Sequence, residues 1–307
     1  MAATPTAPEI TEVAAGVFAY VQPDGTWFIN NTGIIVGPDS ALMIDQTSTE
    51  RRGRMLMATV GELAGDRPVQ ALVNTHSHGD HTFGNFLVPP GATIIGHEHC
   101  RTEIILTGTA VTAFFQGPDW GELEIRPPMV TFRDQLTLWS GERRIDLQHF
   151  GTAAHTTNDV VAHLPEERVL FTGDLVFAGG TPFALQGSVV GWLQVLDQLA
   201  ALPADTLVPG HGPVCGPDEI GTVKAYLEVV LDAARRGRDA GLDPLALARE
   251  LDLGAFAELS DPERIVGNLH RAYADLDDPQ HLGKPLALPP IVQDMMAYNG
   301  GPITSCA

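Results

Sequence analysis

The chain has 307 residues, 44% of them hydrophobic, and a formal net charge of −20 from 18 Lys and Arg against 38 Asp and Glu. That length and apolar content suit one large α/β domain with appendages and exclude a disordered or collagen-like chain, and no apolar run approaches the roughly 18–20 residues of a membrane span. Acid in such excess repels a phosphate backbone, so neither a nucleic-acid nor a membrane partner is expected. Met1 to Val13 has neither the basic flank nor the apolar stretch of a secretory signal, and Cys100, Cys215 and Cys306 form no CxxC pair. The expectation is a reducing, cytoplasmic setting without disulfides.

In chain order, Val17–Val21, Ile29–Val36 and Ala41–Ile44 read as short strands separated by Pro23-Asp24-Gly25 and Gly37-Pro38-Asp39. Between Thr49 and Leu63 the apolar Met55, Leu56, Val60 and Leu63 recur at helical spacing, with Gly65 as a stop. Val69–Asn74 and Ala92–Ile95 are strands, and Cys100 to Val130 is irregular. A second round of strands follows at 136–138, 144–149, 160–164 and 168–172, then an apolar helix over 188–202 and a last strand at 206–208. Strands followed by strand–helix units, twice over, predict two sheets packed face to face with helices outside. Beyond Pro217 the pattern is helical over 220–234, 244–251 and 262–276, and the Pro-rich tail from Pro279 is expected to be only moderately ordered. The division read from this is a catalytic domain over 1–216 and a helical extension over 217–307 packed on it.

The chemistry is concentrated in Asn74-Thr75-His76-Ser77-His78-Gly79-Asp80-His81. A loop leaving an apolar strand can turn alternate side chains toward one point, and imidazole and carboxylate suit zinc at about 2.0–2.2 Å. Packing alone gives no reason to gather so many costly polar groups.

With these residues the sequence resembles the metallo-β-lactamase-fold superfamily. Four further matches follow in that family's order: Asp45 after Leu42-Met43-Ile44, His155 in Gly151-Thr-Ala-Ala-His155-Thr, Asp174 in Phe171-Thr-Gly-Asp174, and His211 in Pro209-Gly-His211-Gly. The resemblance covers roughly residues 12–215 and implies a four-layer αββα sandwich with a C-terminal helical extension. Carried onto this chain, it implies that His76, His78 and His155 hold one metal and that Asp80, His81 and His211 hold a second. Asp174 would bridge the two, and Asp80 would also orient the metal-bound hydroxide. Two Zn(2+) ions are implied, with Fe or Mn as alternatives. Asp45 is either the buried acid that steadies the histidine loop or an ordinary strand-end aspartate. Cys215 reads as a small buried hydrophobe, and His97, His99, His149, His163, His270 and His281 as ordinary surface or core histidines.

The resemblance implies a metal-dependent enzyme attacking an ester, thioester, lactone or amide carbonyl of a small acyl substrate. An aspartate where zinc β-lactamases carry cysteine, and no lysine between Asp174 and His211, tell against a true β-lactamase. A mononuclear-iron sulfur dioxygenase and a non-enzymatic scaffold are the competing readings. Ala113 to Gly121 reads as a lid offering Phe114, Phe115 and Trp120, or as a plain hydrophobic plug. Phe177 and Phe183 would form the opposite wall, with His270 or Tyr273 from the extension completing the pocket. A narrower resemblance, carried by Ala19 to Trp27, Gly180-Thr-Pro-Phe183, Val266 to Tyr273 and Met296 to Gly301, is to the ring cyclases and thioesterases of bacterial aromatic polyketide biosynthesis. It implies cyclisation or thioester hydrolysis of a poly-β-keto chain, carried on an acyl carrier protein that would dock at Arg51-Arg52-Gly-Arg54 or Arg235-Arg236-Gly-Arg238. A generic lactonase or glyoxalase II-like hydrolase is the alternative. Apolar Leu227, Val230, Leu231 and Ala234 on one helical face are compatible with a homodimer.

Overall fold

Short strands covered on both faces organise the first half of the chain in the computed structural model, which describes residues 6–307. Strands β1 (Glu9–Ala14), β2 (Val17–Val21), β3 (Thr32–Val36) and β4 (Ala41–Ile44) form an antiparallel meander. Helix α1 (Glu50–Ala64), capped by the Thr49 side chain accepting from Arg52 N, returns the chain so that β5 (Val69–Val73) lies parallel to β4. A single turn, α2 (Gly79–Thr82), leads on to β6 (Thr93–His97), again parallel. Helix α3 (Glu98–Thr107), the two-residue β7 (Phe115–Gln116) and β8 (Val130–Phe132) follow, and the first sheet runs β1-β2-β3-β4-β5-β6-β8.

The second sheet takes β9 (Gln135–Ser140), β10 (Arg143–Gln148), β11 (Val161–Leu164), β12 (Val169–Phe177) and β13 (Thr206–His211), in the order β13-β12-β11-β10-β9. Helix α4 (Val189–Leu199) is the crossover between the parallel strands β12 and β13. Beyond it come α5 (Asp218–Ala240), α6 (Pro244–Glu250), α7 (Arg264–Asp277), α8 (Leu288–Asn299) and β14 (Ile303–Thr304).

Alternation along the strands creates the layers. On β3 and β4, Ile35, Leu42 and Ile44 point between the sheets and meet Ile145, Leu147, Ala162 and Phe171. Their neighbours Ile34 and Met43 point outward against Leu56 and Val60 of α1. The outer face of the second sheet is covered by Trp192 and Leu196 of α4, Leu227 and Val230 of α5, and Ile265 and Leu269 of α7. The arrangement is αββα, and the segment after residue 217 shares this third core with the sandwich.

Four features differ from the expectation. The edge strand β1, helices α3 and α8, and the β7–β14 pair had no clear signal, and the tail from Pro279 is an ordered helix and strand rather than a loose end. Leu227, Val230, Leu231 and Ala234 are buried within the chain itself, so that face is not left for a second copy. Arg52 is buried too, donating to Gln22 Oε1 and Cys306 O, which removes it from any surface basic patch. No helix among the described residues is long and apolar enough to cross a membrane.

Candidate functional site

Strand ends bring the ligands together. Asp45 follows β4, His76 to His81 follow β5, Asp174 lies within the long β12, and His211 ends β13; His155 comes from the loop between β10 and β11. The parallel strands β4 and β5 of one sheet, and β12 and β13 of the other, therefore open onto the same edge, where such sheets place their ligands. His76, His78, His155 and Asp174 form one group and Asp80, His81 and His211 another, with the ligand atoms of each within 4.8 Å of one another. Asp174 touches both: Oδ2 lies 3.3 Å from His155 Nε2 and from His211 Nε2, and Oδ1 lies 3.0 Å from His81 Nε2. Its backbone neighbour has to be bare, because a Cβ on Gly210 would fall 1.9 Å from Asp174 Oδ1.

Every histidine of the set has its outward nitrogen held by an acceptor. His81 Nδ1 donates to Asp45 Oδ2 at 2.7 Å, His155 Nδ1 to the Phe183 carbonyl at 2.5 Å, and His211 Nδ1 to the carbonyls of Gly25 and Ile29 at 3.0 Å each. His76 Nδ1 donates to Thr75 Oγ1, whose own hydrogen goes to Asp45 Oδ2. His78 is reversed, with Nε2 on Gln186 Oε1 at 2.7 Å and Nδ1 facing the cluster. Fixing one ring nitrogen as the donor leaves the other with its lone pair. Asp45 thus sits behind the loop, its Oδ1 also accepting from Thr75 N at 2.7 Å, rather than merely ending a strand.

This arrangement fits cations. His78 Nδ1 and His155 Nε2 face one another at 2.8 Å, and both imidazoles are pushed toward neutrality, His155 down to about 3, chiefly by burial. Two lone pairs at that separation repel unless a positive centre lies between them. His76 Nε2, His81 Nε2 and Asp174 Oδ1 are also buried with no hydrogen-bond partner, a cost that ligation removes. Burial likewise works against charge at Asp80, yet the neighbouring His81 and His211 bring its carboxyl down to about 2. At His211 burial is outweighed by Asp174 and Asp80, which raise it to about 9.

Above this floor lies a cavity of about 250 Å³. Phe114, Phe115, Phe177 and Phe183 line it, as do Trp27, Phe28 and Phe83, and α8 and the tail supply Leu288, Val292, Met295 and Ile303. Three expected wall residues do not reach the lining. Trp120 packs edge-on behind Phe28 at 5.0 Å between centroids, His270 pairs with Asp294 at 2.9 Å, and the Tyr273 hydroxyl donates to Leu242 O at 3.0 Å. Among the polar residues at the wall, Gln186 and Arg264 were not foreseen. The Arg264 guanidinium lies 4.0 Å from the Trp27 ring centroid and pairs with Asp261 at 2.8 Å, while the Trp27 indole donates to Glu263 at 2.5 Å. Neither residue belongs to a motif, whereas the aromatic wall residues Phe114, Phe115, Phe177 and Phe183 were expected from the sequence.

A family model described as the Metallo-beta-lactamase superfamily matches residues 25–211. A hydroxyacylglutathione hydrolase of Polaromonas sp. (strain JS666 / ATCC BAA-500) is 29% identical over 272 residues, covering 83% of this chain and 90% of that protein. A linear primary-alkylsulfatase of Pseudomonas sp. (strain ATCC 19151) is 24% identical over 263 residues, or 72% of this chain, and the chain spans only 49% of that relative's length. Among solved structures, a metallo-β-lactamase from Pontibacter korlensis superposes with a TM-score of 0.59 at 22% identity, over 72% of this chain and 99% of the other.

Proposed function

The chain belongs to the metallo-β-lactamase superfamily, and from that premise we propose that it is a dinuclear-metal hydrolase cleaving an ester or thioester whose acyl part is largely apolar. One observation carries the reading: seven His and Asp side chains, six of them buried and His78 half-buried, converge beneath a cavity walled by seven aromatic rings, and five of the seven line its floor. Zinc suits the mixed imidazole and carboxylate donor set: His76, His78 and His155 would hold one ion and Asp80, His81 and His211 the other, with Asp174 in reach of both groups. Such ions supply Lewis-acid polarisation of an acyl oxygen and lower the pKa of water from 15.7 toward about 7.

The chain's own groups do the rest. The Asp80 carboxylate, on the cavity floor and 3.2 Å from His211 Nε2, accepts a hydrogen bond from the attacking water and turns its lone pair toward the acyl carbon. The proton passes from that water by way of Asp80 directly to the leaving sulfur or oxygen. Trp27, Phe28, Phe115 and Phe183 hold the acyl chain and keep bulk water off the reacting atoms. Relatives named hydroxyacylglutathione hydrolase support hydrolysis of an acyl bond. The narrower reading, a thioesterase or cyclase acting on an aromatic polyketide, is supported by the aromatic wall alone.

Metal analysis together with a panel of aryl esters, acyl thioesters and lactones tests the proposal. About two zinc per chain with thioester or ester turnover is expected, and His76→Ala combined with His78→Ala should abolish both. Full turnover by chelated, metal-free protein would overturn it, as would one iron per chain with oxygen consumption.

A further inference from the structure

Gln186 is half-buried on the cavity wall, with its Oε1 at 2.7 Å from His78 Nε2. The chemistry of His78 dictates which end of the amide faces it. His78 Nδ1 points at the ligand cluster, 2.8 Å from His155 Nε2, and to hold a cation there it must present a lone pair. Its Nε2 therefore carries the hydrogen and must donate. An amide NH2 in that place would oppose hydrogen to hydrogen, so the oxygen faces the ring and the NH2 turns away. Among the described residues no side chain or carbonyl takes a hydrogen bond from that NH2, and it is not sealed from the cavity.

The loop that bears Gln186 is pinned on both sides. Arg271 of α7 donates twice to the Leu185 carbonyl, from Nε at 3.0 Å and Nη2 at 2.8 Å, and Asn268 of the same helix accepts from Ala184 N at 2.7 Å. On the other side Ser188 N donates to Ala154 O at 2.8 Å, and Gly187 packs so closely that a Cβ there would lie 1.9 Å from the same carbonyl. A side chain needed only to fill surface space would not require such anchoring from two elements.

We propose that Gln186 links the metal floor to the substrate. Its carbonyl positions the His78 ring and fixes its tautomer, and its NH2 donates to an oxygen of the acyl substrate beside the scissile bond. The substrate half rests on the hydrolase reading above; the positioning half does not.

Two variants separate the halves. Gln186→Glu keeps an acceptor for His78 and loses the donor, whereas Gln186→Leu loses both. Metal-free wild type and both variants are titrated with Co(2+), followed by its visible absorption, and kcat and KM are measured on the zinc-loaded proteins with the best ester or thioester. Loss of the group that orients a ligand typically weakens affinity about 10–100-fold, which is expected for Gln186→Leu, while Gln186→Glu binds at least as tightly as wild type. Losing one neutral hydrogen bond to substrate should raise KM about 10-fold in both variants, with kcat changing less. Wild-type Co(2+) affinity and spectrum in Gln186→Leu would overturn the positioning half, and an unchanged KM in Gln186→Glu would overturn the substrate half. If wild type cleaves no ester or thioester at all, the hydrolase reading and the substrate half that rests on it both fall, and the titration still decides the positioning half.

Discussion

Asp45 stands in a left-handed backbone conformation, φ 63°, that an aspartate tolerates and that turns both of its oxygens toward the loop after β5. Burial pushes its carboxyl up, and His81 and the two Thr75 donors pull it back. Asp45→Asn offers hydrogens where Thr75 or His81 needs an acceptor. Zinc affinity at the His81 site should then fall about 10–100-fold, measured by competition with a chromophoric chelator. His97, which is not one of the seven clustered residues, titrates for a different reason. Burial, then the positive charge that His149 and His99 can carry, brings it from 6.5 down to about 4. A histidine harder to protonate when folded adds nothing above pH 6.5. As pH falls from 6.5 toward 4 the unfolded chain takes up the extra proton and stability drops, by about 3 kcal/mol across the window. Thermal denaturation between pH 7 and 4 should show that slope in wild type and a flatter one in His97→Asn, which keeps a capping side chain at the start of α3. At this scale the seven side chains that cluster were legible because costly polar groups crowd into short, ordered motifs. Gln186 and Arg264 were not, since a lone amide or guanidinium in a loop or at a helix start has no pattern until the fold supplies its neighbours.

Helix α7 shows what an element contributes beyond its own burial. Its first turn delivers Glu263 and Arg264 to Trp27, its middle delivers Asn268 and Arg271 to the loop over 182–186, and Asp275 accepts from Ser188 Oγ at 2.9 Å. Arg264→Ala leaves Asp261, mostly buried and already pushed up by burial, without its partner. Removing one member of a buried pair costs about 3–5 kcal/mol, and a lower urea midpoint with an unchanged slope is expected. The inner strands of both sheets were readable as short apolar runs between turn signals, because both of their faces are covered and nearly every residue is buried. Helix α3 was not: of its ten residues only Cys100 and Ile104 are buried, too few to set a period. Helix α8 starts Leu288-Pro289-Pro290, and prolines that look like a break in sequence are well placed in a first helical turn. The β7–β14 pair joins segments almost two hundred residues apart over two residues each, and nothing local announces it.

Across the whole molecule, the αββα order followed from two successive strand–helix rounds, while the shape of the cavity did not, because its wall is assembled from stretches scattered between Trp27 and Ile303. The buried ligand cluster also makes stability depend on metal. A ligand that binds only the folded state at a thousand times its Kd adds about 4 kcal/mol. Chelation should therefore lower Tm by roughly 5–10 °C for a chain of this size, restored by adding zinc. A Tm indifferent to chelator would mean that the cluster is stable without cations.

Floor and wall have separate origins: strand ends supply the metal ligands, and α3, β7, α8 and β14 supply much of what surrounds a substrate. An enzyme partitioned in this way lends itself to retailoring. Randomised libraries confined to positions 106–115 and 288–303 would alter which molecules are accepted while the reactive machinery stays intact, and recombining those two stretches among homologous chains would do the same in larger steps.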